Sequence, residues 1–190
     1  YLSLSTVNHI FLDNGLSIFD VEEYPTHGGS LRVFAQRNDT GQHPQNIRVK
    51  KLLEIESQAG VNTADYYLGF QAITNKVKDD FITFLLDIKN KGKTVAGYGA
   101  AAKGNTLLNY SGIRPDLIPY VVDRNPFKQG KYLPGSRIPI TTENRIKEEK
   151  PDYILILPWN IKDEVISQLA YVRKWGGKFV TAVPELEIKD

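Results

Sequence analysis

Apolar and polar positions divide the chain into three regions. In the first, Val7, Ile10 and Phe11 recur at helical spacing behind Ser5, a suitable N-cap, and Asn14-Gly15 closes that helix with the left-handed geometry glycine allows. Two β-rich runs follow, Leu16 to Val21 and Ser30 to Ala35, separated by Glu22-Glu23-Tyr24-Pro25-Thr26-His27-Gly28-Gly29. A helix, a strand, a loop and a strand within residues 1–37 cannot bury a core alone, so they read as the closing edge of a domain whose bulk lies upstream of Tyr1.

The second region, residues 38–92, is a linker and a helical connector. Asn38 to Asn46 is polar with one Gly and one Pro. Ile47 to Ala59 places Val49, Leu52, Leu53 and Ile55 at helical spacing, and Gly60 stops it. Thr63 then suits the cap of a long helix whose apolar stripe is Tyr66, Phe70, Ile73, Val77, Phe81, Phe84 and Ile88. Such a stripe signals packing rather than a ligand site, and we read it as docking one domain on another.

The third region, residues 93–190, alternates strands with helices. Strands are expected at Thr94 to Tyr98, Leu117 to Val122, Tyr153 to Leu157 and Lys178 to Val183. Helices are expected at Lys103 to Tyr110, Thr142 to Lys150 and Lys162 to Trp175, with Gly176-Gly177 as a break. Strands joined through helices predict an α/β fold with a mostly parallel, Rossmann-like sheet and flanking helices.

Composition narrows the function classes. The chain has 190 residues, 41% hydrophobic and 24% charged, which is ordinary globular usage. Lys and Arg total 24 against 22 Asp and Glu, a net charge of +2 that argues against a nucleic-acid or membrane surface. With no cysteine, disulfides, thiol catalysis and Cys-ligated zinc are excluded within these residues. No apolar run approaches the ~20 residues of a membrane span, no signal peptide is evident, and the expected location is cytoplasmic. A start at Tyr1 and the absence of methionine read as an excised piece of a longer protein.

The most specific local signal is Gly97-Tyr98-Gly99-Ala100-Ala101-Ala102, a G-x-G-x-x-A pattern at a strand end that opens a helix. In that context Gly97 permits the tight turn, Gly99 lets amides approach an anion, and Ala102 lets the helix pack on the strand. Free amides and the helix dipole favour a phosphate there. Lys103 sits at the positive end of that dipole, which costs roughly a few tenths of a kcal/mol unless the ammonium reaches a phosphate oxygen. Asn105 and Thr106 add polar side chains to the same turn. Asp123, at the end of the second strand, stands where a dinucleotide fold puts an acid on a ribose hydroxyl; it equally suits the start of the turn into Arg124-Asn125-Pro126. No catalytic acid, base or hydride pocket follows it, so the phosphate of some nucleotide is the expectation rather than NAD.

A second constellation is Tyr24, His27, Gly28, Gly29 and Arg32. Histidine titrates near neutrality and is the commonest general base, and Tyr24 lies within reach of the same pocket. Arg32 could pair with a phosphate, or alternation from Ser30 could send it to solvent. His9 and His43 have no supporting neighbours, no spacing suggests a metal site, and no serine occupies a nucleophile elbow.

Taken together, Tyr24-Pro25-Thr26-His27-Gly28-Gly29-Ser30-Leu31-Arg32, the run from Gly97 to Leu108, Val122-Asp123-Arg124-Asn125-Pro126 and Gly130-Lys131-Tyr132-Leu133-Pro134-Gly135 resemble the C-terminal portion of S-adenosylmethionine-dependent C-methyltransferases of deoxysugar biosynthesis. The likeness covers essentially the whole chain. It implies an upstream domain that binds S-adenosylmethionine, an N-terminal zinc module, and neither cofactor bound by these residues. It implies a nucleotide-linked 4-keto-6-deoxysugar as substrate, with His27 as or beside the base, Tyr24 near the enolate or keto oxygen, and Gly97, Tyr98, Gly99, Lys103, Asn105, Asp123 and Arg32 binding substrate. Some relatives carry an acid before this histidine where the chain has Thr26. A non-catalytic module binding NAD or coenzyme A, and a purely structural docking domain, are the competing expectations.

Overall fold

A computed structural model describes residues 2–190, and the side chain of His27 lies outside that description. The chain forms two compact units, Tyr1–Gln71 and Ala72–Asp190.

In the first unit, helix α1 (Leu4–Asp13) starts two residues earlier than Ser5 would cap it, because Ser3 is the N-cap and its Oγ accepts from Thr6 N at 3.1 Å. Strands β1 (Leu16–Tyr24) and β2 (Ser30–Arg37) form an antiparallel hairpin joined by a 3-10 turn at Thr26–Gly28, with an irregularity between Ile18 and Asp20. Helix α2 (Ile47–Gln58) packs with them, and Leu4, Ile18, Val21 and Val49 make one small core. Its Glu56 carboxylate accepts from Leu4 N and Ser5 N, each at 2.7 Å, so α2 supplies the anion at the positive end of α1.

The long helix expected from Thr63 is interrupted. A short helix α3 (Asp65–Leu68) ends at Gly69, and α4 (Phe70–Asn90) follows, while the Thr63 hydroxyl donates to Gly60 O at 2.7 Å instead of capping. Phe81, Phe84, Leu85 and Ile88 are buried, whereas Tyr66, Phe70 and Ile73 at the other end of the stripe are exposed.

The second unit is a three-layer α/β structure, the Rossmann-like fold the alternating pattern implied. Its sheet has the order β5-β4-β3-β6-β7-β8, built from β3 (Val95–Tyr98), β4 (Val121–Val122), β5 (Ile140–Thr141), β6 (Tyr153–Ile156), β7 (Lys178–Thr181) and β8 (Glu187–Lys189). All neighbours are parallel except β7 and β8. Alternate strand residues feed two cores. Val95, Val121, Leu155 and Val180 pack against α4 and Leu108 of α5 (Ala102–Tyr110). Ala96, Val122, Ile154, Ile156 and Phe179 pack against α6 (Asn144–Glu149), α7 (Lys162–Gln168) and the 3-10 turn Ala170–Trp175. The strand expected from Leu117 is confined to two residues, Pro119 having no N–H to give a ladder. The helix expected from Lys162 to Trp175 tightens into that 3-10 turn after Leu169.

The chain leaves β3 through α5 to reach β4 on one side, and β6 later adds on the other side. The point where strand order reverses therefore lies between the carboxyl ends of β3 and β6, where open α/β sheets form ligand crevices.

Phe81 is completely buried in the α4 layer. Phe81→Ala is expected to cost about 3–5 kcal/mol. Trp159 and Trp175, the chain's 2 tryptophans, both belong to the second unit, so urea unfolding followed by tryptophan fluorescence reads that loss directly.

Candidate functional site

At the switch point the glycine-rich run is built differently from the roles its spacing implied. A Cβ on Gly97 would meet Val121 Cγ2 at 2.7 Å, so this glycine lets β4 close on β3. Gly99 makes the turn: its φ is +84°, and a Cβ there would meet Pro158 Cδ at 2.7 Å. Helix packing falls to Gly104, where a Cβ would meet Leu157 Cβ at 2.6 Å, while Ala102 is exposed. The three close approaches seat β3 against β4 and press the turn and the start of α5 against Leu157 and Pro158, which follow β6.

Asp123 closes this turn from β4. Its Oδ2 accepts from Ala100 N at 2.7 Å and from Lys128 Nζ at 3.1 Å, and its Oδ1 accepts from Asn125 N at 2.8 Å. Lys128 Nζ also donates to Ala100 O at 2.9 Å, so one lysine ties the acid to both ends of the same residue. The carboxylate is only 12% exposed. It thus starts the Arg124-Asn125-Pro126 turn and braces the glycine turn at once.

Beyond that brace, α5 begins at Ala102 with Ala101 as N-cap, which offers no side-chain acceptor. The amides of the first helical turn are therefore left to another acceptor, in the geometry that favours an anion. Lys103 is exposed in that turn. Asn105 Oδ1 is buried and, among the described residues, has no hydrogen-bond partner. Thr106 turns its hydroxyl back to Ala102 O at 3.2 Å. Tyr98 does not join the group: its side chain is buried on the α7 face and donates to Gln168 Oε1 at 3.3 Å. The structure thus gathers Gly97, Gly99, Lys103, Asn105 and Asp123 around one turn.

In the other unit, the hairpin gathers Tyr24 and Arg32 and adds Glu22. Alternation places Glu22 and Tyr24 on one face of β1, and the hairpin register sets Glu22 opposite Arg32. The Tyr24 hydroxyl donates to Glu22 Oε2 at 2.7 Å and accepts from Arg32 Nη1 at 2.7 Å, with the guanidinium 4.5 Å from the ring centroid. The hydrogen bond to Glu22, with some burial, raises the Tyr24 phenol above its ordinary 10.0, against the pull of Arg32. The same face continues to Asp20, whose carboxylate is held below its usual range by hydrogen bonds from Arg48. His27 sits on the 3-10 turn beyond Tyr24, flanked by Gly28 at φ +86° and Gly29 at φ +118°. Glu22 carried a legible signal, its two-residue spacing from Tyr24; Lys128 had no signal beyond its place in the run after Asp123.

The resemblance assigns S-adenosylmethionine to an upstream domain. In residues 2–71 the two strands are joined as a hairpin, so the described residues build no strand–turn–helix cradle for that donor, and no step below is routed through it. Among the described residues there is no group of three His, Asp or Glu able to hold a metal ion, and no helix is long and apolar enough to cross a membrane.

The fold is that of a Rossmann-like α/β protein with a helix start at the reversal point of its sheet. Residues 25–184 match the C-methyltransferase C-terminal domain, and the chain belongs to that family. It is 36% identical over 185 residues to C-methyltransferase NovU of Streptomyces niveus, an alignment that covers 97% of this chain and 44% of that protein. The chain thus spans less than half the length of this relative.

With Glu22→Gln the acceptor for the Tyr24 proton becomes neutral while Arg32 remains. Tyr24 is then expected to ionise at lower pH than in the wild type. A tyrosinate absorbance titration, taken as the difference from Tyr24→Phe, measures this. The sign in stability follows: a phenol raised by folding contributes stability that is present below its unfolded pKa and lost as pH rises through the folded value. Glu22→Gln narrows that alkaline loss.

Proposed function

We propose that the chain is the C-terminal part of an S-adenosylmethionine-dependent C-methyltransferase, and that its second unit holds a nucleotide-linked keto-deoxysugar through the phosphates. The observation that carries the binding role is the start of α5, with side-chain-uncapped amides, Lys103 in the first turn and the orphaned Asn105 Oδ1 at the switch point. Family membership supports the methyl-transfer role.

Carbon becomes a nucleophile when a proton alpha to a ketone is removed. The bound donor supplies an electrophilic methyl group. Tyr24 is a poor base near neutrality, as a phenol ordinarily is, and the hydrogen bond to Glu22 raises its pKa further. That leaves His27 to take the alpha proton, as the resemblance implies, and Tyr24 to act as a fixed polar contact for the keto oxygen or enolate. Among the described residues only Nη1 of Arg32 is engaged in hydrogen bonds, so its remaining donors serve a substrate oxygen.

The competing NAD reading is weakened by Asp123, since the acid needed for a ribose hydroxyl already accepts from Ala100 N, Asn125 N and Lys128 Nζ. Coenzyme A or NAD binding more tightly than a thymidine diphosphate sugar in calorimetric titrations of the protein would overturn the substrate class. In the same titrations Lys103→Ala is expected to weaken the sugar nucleotide by about 10- to 100-fold, the loss of a charge-assisted phosphate contact. An unchanged affinity would remove the phosphate role of α5.

A further inference from the structure

Phe127 is 81% exposed, more than any other large hydrophobic residue described. Exposed single aromatics are ordinary, but this one crowns a heavily fixed turn. Asn125-Pro126-Phe127-Lys128 forms a β-turn closed by Lys128 N to Asn125 O at 3.0 Å. Asn125 Oδ1 accepts from Phe127 N at 3.0 Å, and the pyrrolidine of Pro126 fixes its φ. Gln129 Nε2 anchors the far side to Asp123 O at 2.8 Å. Lys128 Nζ then reaches Ala100 O at 2.9 Å, fastening the turn to the residue that leads into α5.

The turn follows β4 directly, so it stands at the carboxyl edge of the sheet, one strand from the switch point. A phenyl ring kept in water forgoes about 2–3 kcal/mol of burial. The bonds that hold its backbone fasten the turn to Ala100, the residue that leads into α5, so the ring is carried on a fixed loop next to the glycine turn. A phenyl ring has no hydrogen-bonding group and no charge. What it offers is a flat π face, which suits a planar heteroaromatic ring and not a charged phosphate.

We propose that Phe127 is a stacking platform for the base of the nucleotide whose phosphates are held at α5. This rests on the phosphate reading above and extends it from phosphate to base. Because every base has a π face, the platform is tolerant: it adds affinity without choosing among pyrimidines. Base-reading hydrogen bonds come from elsewhere.

The test is calorimetric titration of the wild-type protein, Phe127→Ala and Phe127→Trp with thymidine diphosphate and with inorganic pyrophosphate. Phe127→Ala is expected to weaken thymidine diphosphate by about tenfold or more and to leave pyrophosphate unchanged. Phe127→Trp is expected to retain nucleotide affinity and to show an added indole emission quenched by thymidine diphosphate and not by pyrophosphate. The ring is exposed, so the unfolding midpoint stays constant and separates these losses from misfolding. Wild-type affinity for thymidine diphosphate in Phe127→Ala, or an equal loss for pyrophosphate, overturns the platform and leaves the phosphate reading standing. Failure of the wild type to bind either ligand overturns both.

Discussion

The glycine turn of the second unit depends on the carboxylate of Asp123. It stands at the end of β4, yet its strongest commitments are to Ala100, the residue after the turn at the end of β3. A carboxylate with three donors and little exposure is held by charge-assisted bonds, and removing it would leave the Ala100 amide without its acceptor, a loss of ~1–3 kcal/mol. Because the chain's own acid satisfies that amide, the amides left without a side-chain acceptor are those that follow Ala101. The same acid, through Lys128 and Asn125, sets the turn that carries Phe127. One side chain thus fixes both the glycine turn and the adjoining loop.

The opposite end of the sheet uses the same device. Asp152, just before β6, accepts from Thr94 N and Thr94 Oγ1 at 2.9 Å each and from Lys93 Nζ at 2.8 Å. Burial opposes its charge, but these donors outweigh burial and hold its carboxyl below the usual range. So β3 is fastened at its amino end to β6 and at its carboxyl end to β4, each by an acid. A strand of four residues has few ladder bonds of its own, and side-chain acids at both ends compensate for that shortness. The hairpin of the first unit differs in purpose. There Glu22 binds a phenol rather than an amide, and the consequence is protonation state rather than backbone shape.

The elements legible in the sequence were those whose signal is local. Strands β3, β6 and β7 are short apolar runs beside glycine or a helical period, and α1, α2, α5 and the hairpin strands have caps or alternation of their own. Strand β5 has two residues, Ile140 and Thr141, and exists because β4 is beside it; no periodicity fits in so short a run. Strand β8 is an antiparallel edge whose partner, β7, is close in sequence but whose own residues alternate charge and apolar side chain without a turn signature. The G-x-G-x-x-A spacing located the turn correctly but misassigned its parts. Helix packing fell to Gly104 because what decides it is the distance to Leu157, just past the end of β6 and some fifty residues later. The Glu22–Arg32 pair likewise needs the hairpin register, which the loop between Tyr24 and Ser30 sets.

The two constellations differ in the kind of order that holds them. In the hairpin, one hydrogen bond between half-buried side chains, Tyr24 to Glu22, raises the phenol's pKa. The glycine turn of the sheet is held instead by buried bonds, close glycine contacts and a proline against Gly99. A turn so packed cannot widen to admit an anion between Ala100 and Asp123 without breaking several contacts at once. On the binding role proposed above, the acid that a dinucleotide's ribose would claim is already engaged by Ala100 N, Asn125 N and Lys128 Nζ, which leaves the helix start to an anion.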